Sequence, residues 1–274
     1  MPKRLSSTPT DLLFRLDGRV AFISGAAGHL GCRIARALAE VGAHVVLAGR
    51  DGERLEALQG ELSSEGLQCS VSVVDVTDEQ MVKHSFSGIA RVHGRLDVLV
   101  NNAYEGPGGT MKTASAENFL RAYDVGVVGA FRCIDAARAL LRTAAEDTGH
   151  ASIINIASMY GVVSPDLRVY DSLEKSNPPF YGSAKAALIQ LTRYAAVEYA
   201  REGVRVNAVS PGPFPKQELQ VVNPAFHQRL CARIPLGRTG EPDELKGVVV
   251  FLASDAATYV TGANLPVDGG WTAW

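Results

Sequence analysis

Seven short apolar runs, separated by longer stretches of helical period, limit what this chain can fold into. The runs are Val20–Ser24, His44–Ala48, Cys69–Asp75, Asp97–Asn101, Ser152–Ala157, Val204–Val209 and Ala263–Val267. None shows a clean apolar–polar alternation, so each predicts a strand buried on both faces. The segments between them, 30–41, 51–65, 78–93, 116–145, 181–202 and 241–253, predict helices. Strand–helix repetition of this kind requires parallel strands joined by crossovers, with helices on both sides. The expected fold class is therefore α/β: a single domain over residues 18–274, built on a doubly wound parallel seven-stranded sheet. Residues 1–17 are polar and weakly patterned, and read as a flexible N-terminal arm in which Leu12, Leu13 and Phe14 pack down.

Composition removes several classes of function. The 274 residues carry 27 Lys and Arg against 29 Asp and Glu, a net charge of −2. A protein that reads phosphate backbones has a basic footprint, so nucleic acid is not an expected partner. Cys32, Cys69, Cys133 and Cys231 lie far apart, in no Cys/His spacing that suits a metal, and read as reduced thiols. No apolar region follows Lys3 and Arg4, and the longest apolar stretch, Gly247 to Ala253, is far too short to span a membrane. A cytoplasmic protein with no membrane partner is expected.

The first run opens into Ser24-Gly25-Ala26-Ala27-Gly28-His29-Leu30-Gly31, and a helix follows. Gly25, Gly28 and Gly31 let the backbone turn sharply and approach a pyrophosphate. The start of the helix offers it unpaired N–H groups and a positive dipole end. Dinucleotide specificity is read at the end of the second strand, where an acid suits a ribose diol and a cation suits a 2′-phosphate. Gly49 stands where the acid is expected and Arg50 follows it, so NADP(H) is favoured over NAD(H). Asp51 reads equally well as the cap of the next helix. Asp75-Val76 places a carboxylate at the end of the third strand, in reach of an adenine amine. Asn101-Asn102-Ala103 supplies amides that fix turns beneath the cofactor.

The sharpest motif is Tyr181-Gly182-Ser183-Ala184-Lys185. Four residues apart on a helix, Tyr181 and Lys185 share a face. A phenol titrating near about 10 is a poor acid–base group at neutral pH, and a neighbouring ammonium lowers that value. Ser158, at the carboxyl end of a central strand, puts a hydroxyl where a substrate oxygen beside Tyr181 would lie.

In this order, Gly25/Gly31, Asp75, Asn101-Asn102-Ala103, Ser158, Tyr181/Lys185, Asn207 with Pro211-Gly212, and Val267-Asp268-Gly269-Gly270 resemble the short-chain dehydrogenase/reductase family. The resemblance covers residues 18 to 274 and implies a Rossmann-type nicotinamide-dependent oxidoreductase. It implies Ser158, Tyr181 and Lys185 as catalytic residues, Pro211 and Gly212 beside the nicotinamide with Phe214 following, and a homo-oligomer, tetramer or dimer. A looser likeness is to a subgroup associated with polysaccharide or modified-sugar biosynthesis. It rests on the long 159–180 segment, on Pro211-Gly212-Pro213-Phe214-Pro215 and on the ending Gly269-Gly270-Trp271-Thr272-Ala273-Trp274.

Three positions depart from the family pattern: His29 for a glycine in the phosphate loop, Tyr104 for a glycine after Asn-Asn-Ala, and Gly126 for an asparagine that helps hold a water near the catalytic lysine. His29 is a candidate phosphate donor. Tyr104, Tyr160, Arg168 and Tyr170 are candidate substrate contacts, with 159–180 the substrate loop and 214–235 a mobile lid made basic by Lys216, His227, Arg229 and Arg233. The leading expectation is interconversion of a carbonyl and an alcohol on a small polar substrate, sugar-like ones included. The alternatives are a dinucleotide-binding sensor or assembly protein with impaired catalysis, motivated by Gly126 and His29, and a sugar epimerase that works by transient oxidation.

Overall fold

The computed structural model describes residues 8–216 and 218–274. Its strands are β1 (Val20–Ser24), β2 (His44–Gly49), β3 (Cys69–Val73), β4 (Val98–Asn101), β5 (Ala151–Ile156), β6 (Val204–Pro211) and β7 (Asn264–Val267). Every pairing is parallel and the order is β3-β2-β1-β4-β5-β6-β7. The order reverses between β1 and β4, and that switch point opens a crevice at the carboxyl ends of the strands.

Successive strand residues feed opposite faces. Ala21, Ile23, Val45, Leu47, Val98, Val100, Ile154 and Ile156 enter one core, and Val20, Phe22, Val46, Ala48, Leu99 and Ile153 enter the other. The first face is covered by α1 (Gly31–Glu40), α2 (Gly52–Ser64) and α9 (Lys246–Ala253), and the second by α3 (Glu79–His93), α5 (Gly129–Thr148) and α6 (Pro179–Tyr199). This double burial is why the five inner runs lack alternation; β3 and β7, at the sheet edges, are only partly buried, contrary to expectation. Helix starts follow their caps: Asp51 accepts from Arg54 N, Asp78 from Gln80 N and Met81 N, and Ser115 closes a capping box on α4 (Ala116–Tyr123).

One further expectation is corrected, and two segments gain detail. The helix foreseen over 116–145 is broken by a π-helical turn, Asp124–Val128, that contains Gly126 and links α4 to α5. The lid segment carries two helices, α7 (Glu218–Val222) and α8 (Pro224–Arg233). Within the arm, Thr10–Phe14 form a 3-10 turn and Leu16 is fully buried in the first core. Leu12 is half exposed, and residues 1–7 of the arm lie outside the described residues.

At the amino ends of the strands, His150 sits between Asp255 Oδ1 at 2.8 Å, Arg19 Nη1 at 3.4 Å and Arg205 Nη2 at 3.5 Å. Burial is the largest influence and lowers its pKa, while Asp255 works against the shift. His44, stacked 4.6 Å from His93, is lowered by burial and then by that neighbour. In both cases the unfolded chain takes up a proton more readily than the folded one. Their contribution is complete above the ordinary histidine value of about 6.5 and is lost as pH falls through it. The melting temperature should therefore fall between about pH 7.5 and about pH 5.5. A melting temperature that is flat or rises over that range would contradict this.

Candidate active site

The crevice at the switch point is a cavity of ≈ 520 Å³ lined by the β1–α1 turn, the β2 end, Asp75-Val76 and Asn102 to Glu105. The turn needs glycine at two points. Gly25 has φ +66°, and a Cβ there would lie 3.1 Å from Ala103 Cα. A Cβ on Gly31 would overlap the Gly25 carbonyl oxygen and lie 2.9 Å from Asn102 Nδ2. Gly28 closes the turn by donating its N–H to the Gly25 carbonyl at 3.0 Å. Asn102 pins it from below, donating from Nδ2 to the carbonyls of Ser24 and Gly25 at 3.1 Å each. The Ser24 hydroxyl accepts from the N–H groups of Asn102 and Ala103. The cavity therefore has what a dinucleotide requires: a tight glycine cradle, with Leu30 and Gly31 at the start of α1 on its wall.

Arg50 lies on this wall with Nη1 3.1 Å from Glu105 Oε1 and 4.0 Å from Asp75 Oδ2, and Arg121 also pairs with Glu105. Glu105 is the largest cause of the raised Arg50 pKa. Arg54 is a second cation here, donating to the Ala27 carbonyl at 2.6 Å. It was not foreseen, although its place one turn after Arg50 is a usable signal. Asp51 is the helix cap and Asp75 Oδ1 accepts from both Thr77 N and Thr77 Oγ1, which leaves its second oxygen toward Arg50.

His29 lines the cavity, and its Nε2 meets the Phe214 carbonyl at 3.0 Å and ties the turn to the segment after β6. Leu30 precedes α1 without a side-chain cap. Pro211 ends β6. Gly212 follows with its N–H on Val267 O at 2.9 Å, where a Cβ would lie 2.5 Å from Asp268 Cα. The Phe214 ring lines a separate ≈ 420 Å³ cavity with Pro213 and Ile234.

Tyr181 and Lys185 stand on α6 beside the end of β5. The Lys185 ammonium is buried and donates to the Ile156 carbonyl at 2.7 Å, and it lies 5.7 Å from the centre of the Tyr181 ring. Burial alone brings Lys185 down to about 8, so it stays mainly cationic at neutral pH. Tyr181 departs from expectation: burial raises its pKa, and the Ser158 hydroxyl opposes this without reversing it. The ammonium bonds a backbone carbonyl and lies over the ring, which is why desolvation prevails. Ser158 Oγ also accepts from Tyr160 N at 3.1 Å.

Next to Tyr181, a ≈ 300 Å³ cavity is lined by Tyr104, Gly106 to Gly108, Tyr170 and Lys175 to Pro178. Of the four candidate substrate residues, Tyr104 and Tyr170 reach it. Tyr160 is not on its wall; its hydroxyl meets that of Tyr170 at 2.9 Å and its ring packs edge-on against Trp271. Arg168 is a correction. Its side chain is 85% exposed, clasped by Asp166 at 2.9 Å, and lies off the cavity. The basic lid residues are largely engaged: Arg229 binds Asp171 and the Val169 carbonyl, Arg233 reaches Asp166 at 3.1 Å, and His227 reaches Thr239 at 3.2 Å. The two arginines fasten α8 to the 159–180 segment.

Residues 25–272 match the family model described as enoyl-(acyl carrier protein) reductase. The chain belongs to the short-chain dehydrogenase/reductase family. It is 35% identical to gluconate 5-dehydrogenase of Gluconobacter oxydans, covering 95% of this chain and 97% of that one. It is 32% identical to the rhamnolipids biosynthesis 3-oxoacyl-[acyl-carrier-protein] reductase of Pseudomonas aeruginosa, covering 94% and 98%. The crystal structure of a gluconate 5-dehydrogenase from Burkholderia cenocepacia in complex with NADP and tartrate superposes with a TM-score of 0.85 at 32% identity, covering 96% and 99%. The chain is thus an NAD(P)-dependent oxidoreductase of the dehydrogenase and reductase kind. Among the described residues no helix is long and apolar enough to cross a membrane.

The cradle gives a direct test. Gly31→Ala should weaken dinucleotide binding by roughly tenfold or more, because the new methyl displaces the Gly25 carbonyl. Titration calorimetry with NADP would measure it, and an unchanged affinity would contradict the assignment.

Proposed function

We propose that this protein is an NADP(H)-preferring reductase or dehydrogenase that interconverts a carbonyl and an alcohol on a small polar substrate. The observation that carries the reading is that Ser158, Tyr181 and Lys185 gather at the end of β5, where Tyr181 walls the smaller cavity and Tyr104 borders both it and the dinucleotide cavity. A bound nicotinamide supplies or accepts the hydride. The chain's own residues handle the oxygen and the proton.

In the reducing direction Ser158 and Tyr181 hold the carbonyl oxygen. A phenol kept neutral by burial is in the correct state to donate, and it gives its proton to the oxygen as the carbon is reduced. Lys185 then faces the phenolate left behind and favours it. In the oxidising direction the same groups run in reverse.

Arg50 and Arg54 on the adenosine side, with no acid at Gly49, support preference for a 2′-phosphate. Lys175, Asn177 and the Tyr170 hydroxyl around the smaller cavity suit a hydroxylated or acidic substrate, and the Burkholderia relative was solved with tartrate, a small hydroxylated acid. Leu120, Phe131, Tyr194 and Val197 on α4, α5 and α6 are 72%, 53%, 68% and 82% exposed, which supports a homo-oligomer, dimer or tetramer.

Two substitutions test the assignment. Tyr181→Phe should lower turnover by ~10²–10⁴-fold with dinucleotide affinity little changed. Steady-state rates across a panel of keto and hydroxy acids and sugars decide it, and retained activity would remove Tyr181 as the acid. Arg50→Ala should reduce the preference for NADPH over NADH by roughly tenfold. An unaltered ratio of kcat/KM values would contradict the 2′-phosphate reading.

A further inference from the structure

Two of the departures from the family pattern meet in space. Gly126 lies in the π-helical turn between α4 and α5, and a Cβ built on it would lie 3.5 Å from Tyr104 Cδ2, 3.9 Å from Tyr104 Cε2 and 3.9 Å from Ala184 Cβ. A methyl would just touch; anything longer would meet the Tyr104 ring. That ring stands edge-to-face with Tyr181, centroids 4.8 Å apart at 75°. The Lys185 ammonium lies 5.2 Å from its centre, closer than the 5.7 Å to the ring of Tyr181. Both distances fall within the ~6 Å over which a ring face attracts a cation.

The hydroxyl of Tyr104 is not what holds it there. That oxygen is buried, has no hydrogen-bond partner among the described residues, and lies under Gly106, where a Cβ would come within 2.9 Å. The contacts of Tyr104 with the pair are made by its ring.

We propose that Tyr104 is a positioning residue of the catalytic pair: seated in the space that Gly126 leaves open, its ring holds the Lys185 ammonium in place and braces the Tyr181 ring. Support for the pair that the family draws from a side chain on the α4–α5 segment comes here from the loop after β4. The inference rests on the reading of Tyr181 and Lys185 as the catalytic pair, but its test needs no turnover.

The titratable groups facing the ammonium are Tyr104 from that loop and Tyr181 from its own helix. Ser158 adds a hydroxyl near Tyr181 and Ile156 a carbonyl from β5, and among the described residues no carboxylate acts on Lys185. The titration of Lys185, followed by NMR of the labelled lysine in the cofactor-free protein, therefore reports on the rings. Tyr104→Leu keeps apolar bulk but removes the ring face, and should lower the Lys185 pKa by about half a unit or more. Tyr104→Phe keeps the face and should leave it in place. If Leu and Phe behave alike, Tyr104 is only a filler and the proposal fails.

A second measurement is independent of the titration. Gly126→Asn should lower the melting temperature in the parent protein, and much of the loss should return when Tyr104→Gly is added. Additive losses would overturn the shared-space argument. Should both tests succeed and no substrate turn over, the oxidoreductase assignment fails while the positioning role stands.

Discussion

A lysine ammonium buried at the end of a central strand is the constraint that the catalytic side of this fold depends on. A buried charge without a partner costs far more than a single hydrogen bond returns. Lys185 has one short bond, to the Ile156 carbonyl, and the faces of two aromatic rings. The carbonyl is available because β5 stops at Ile156, and the chain then turns at Ser158 into the substrate loop. The same turn delivers the Ser158 hydroxyl to Tyr181. The positions of Lys185, the Ser158 hydroxyl and the start of the 159–180 segment thus share one origin, the place where β5 ends.

The dinucleotide side answers to a different constraint, the close approach of two backbone segments. Asn102 and Ser24 tie the end of β4 to the end of β1, and the glycine turn is then pressed so tightly that Gly31 has no room for a methyl. Beside this floor the cavity wall is charged, with Glu105 drawing Arg50 and Arg121 together. The oxidoreductase activity requires both halves to face one crevice, and the reversal of strand order between β1 and β4 provides it.

The strands were legible because burial on both faces writes continuous apolar runs, and β1 is placed to the residue. The proposed trio could be picked out of the sequence because Tyr181 and Lys185 share a helix face and Ser158 follows a strand. What escaped was non-local. Glu105 and Arg54 acquire meaning only when distant segments meet at the adenosine wall. The π-turn at Asp124–Val128 continues a helical pattern, so nothing in the period marks it. Arg168 looked like a substrate contact, yet Asp166 two residues before it satisfies its charge at the surface. Tyr104 and Gly126 read as two separate departures from the family pattern, and their contact brings them together.

The central claim is that the Lys185 ammonium controls ionisation of the Tyr181 phenol at the site of hydride transfer. The most direct measurement is the pKa of Tyr181, read by NMR of its labelled ring in the complex with oxidised NADP, in the parent protein and in Lys185→Met. The account expects a lower value in the parent than in Lys185→Met, by about one unit or more. The same value in both proteins would contradict it.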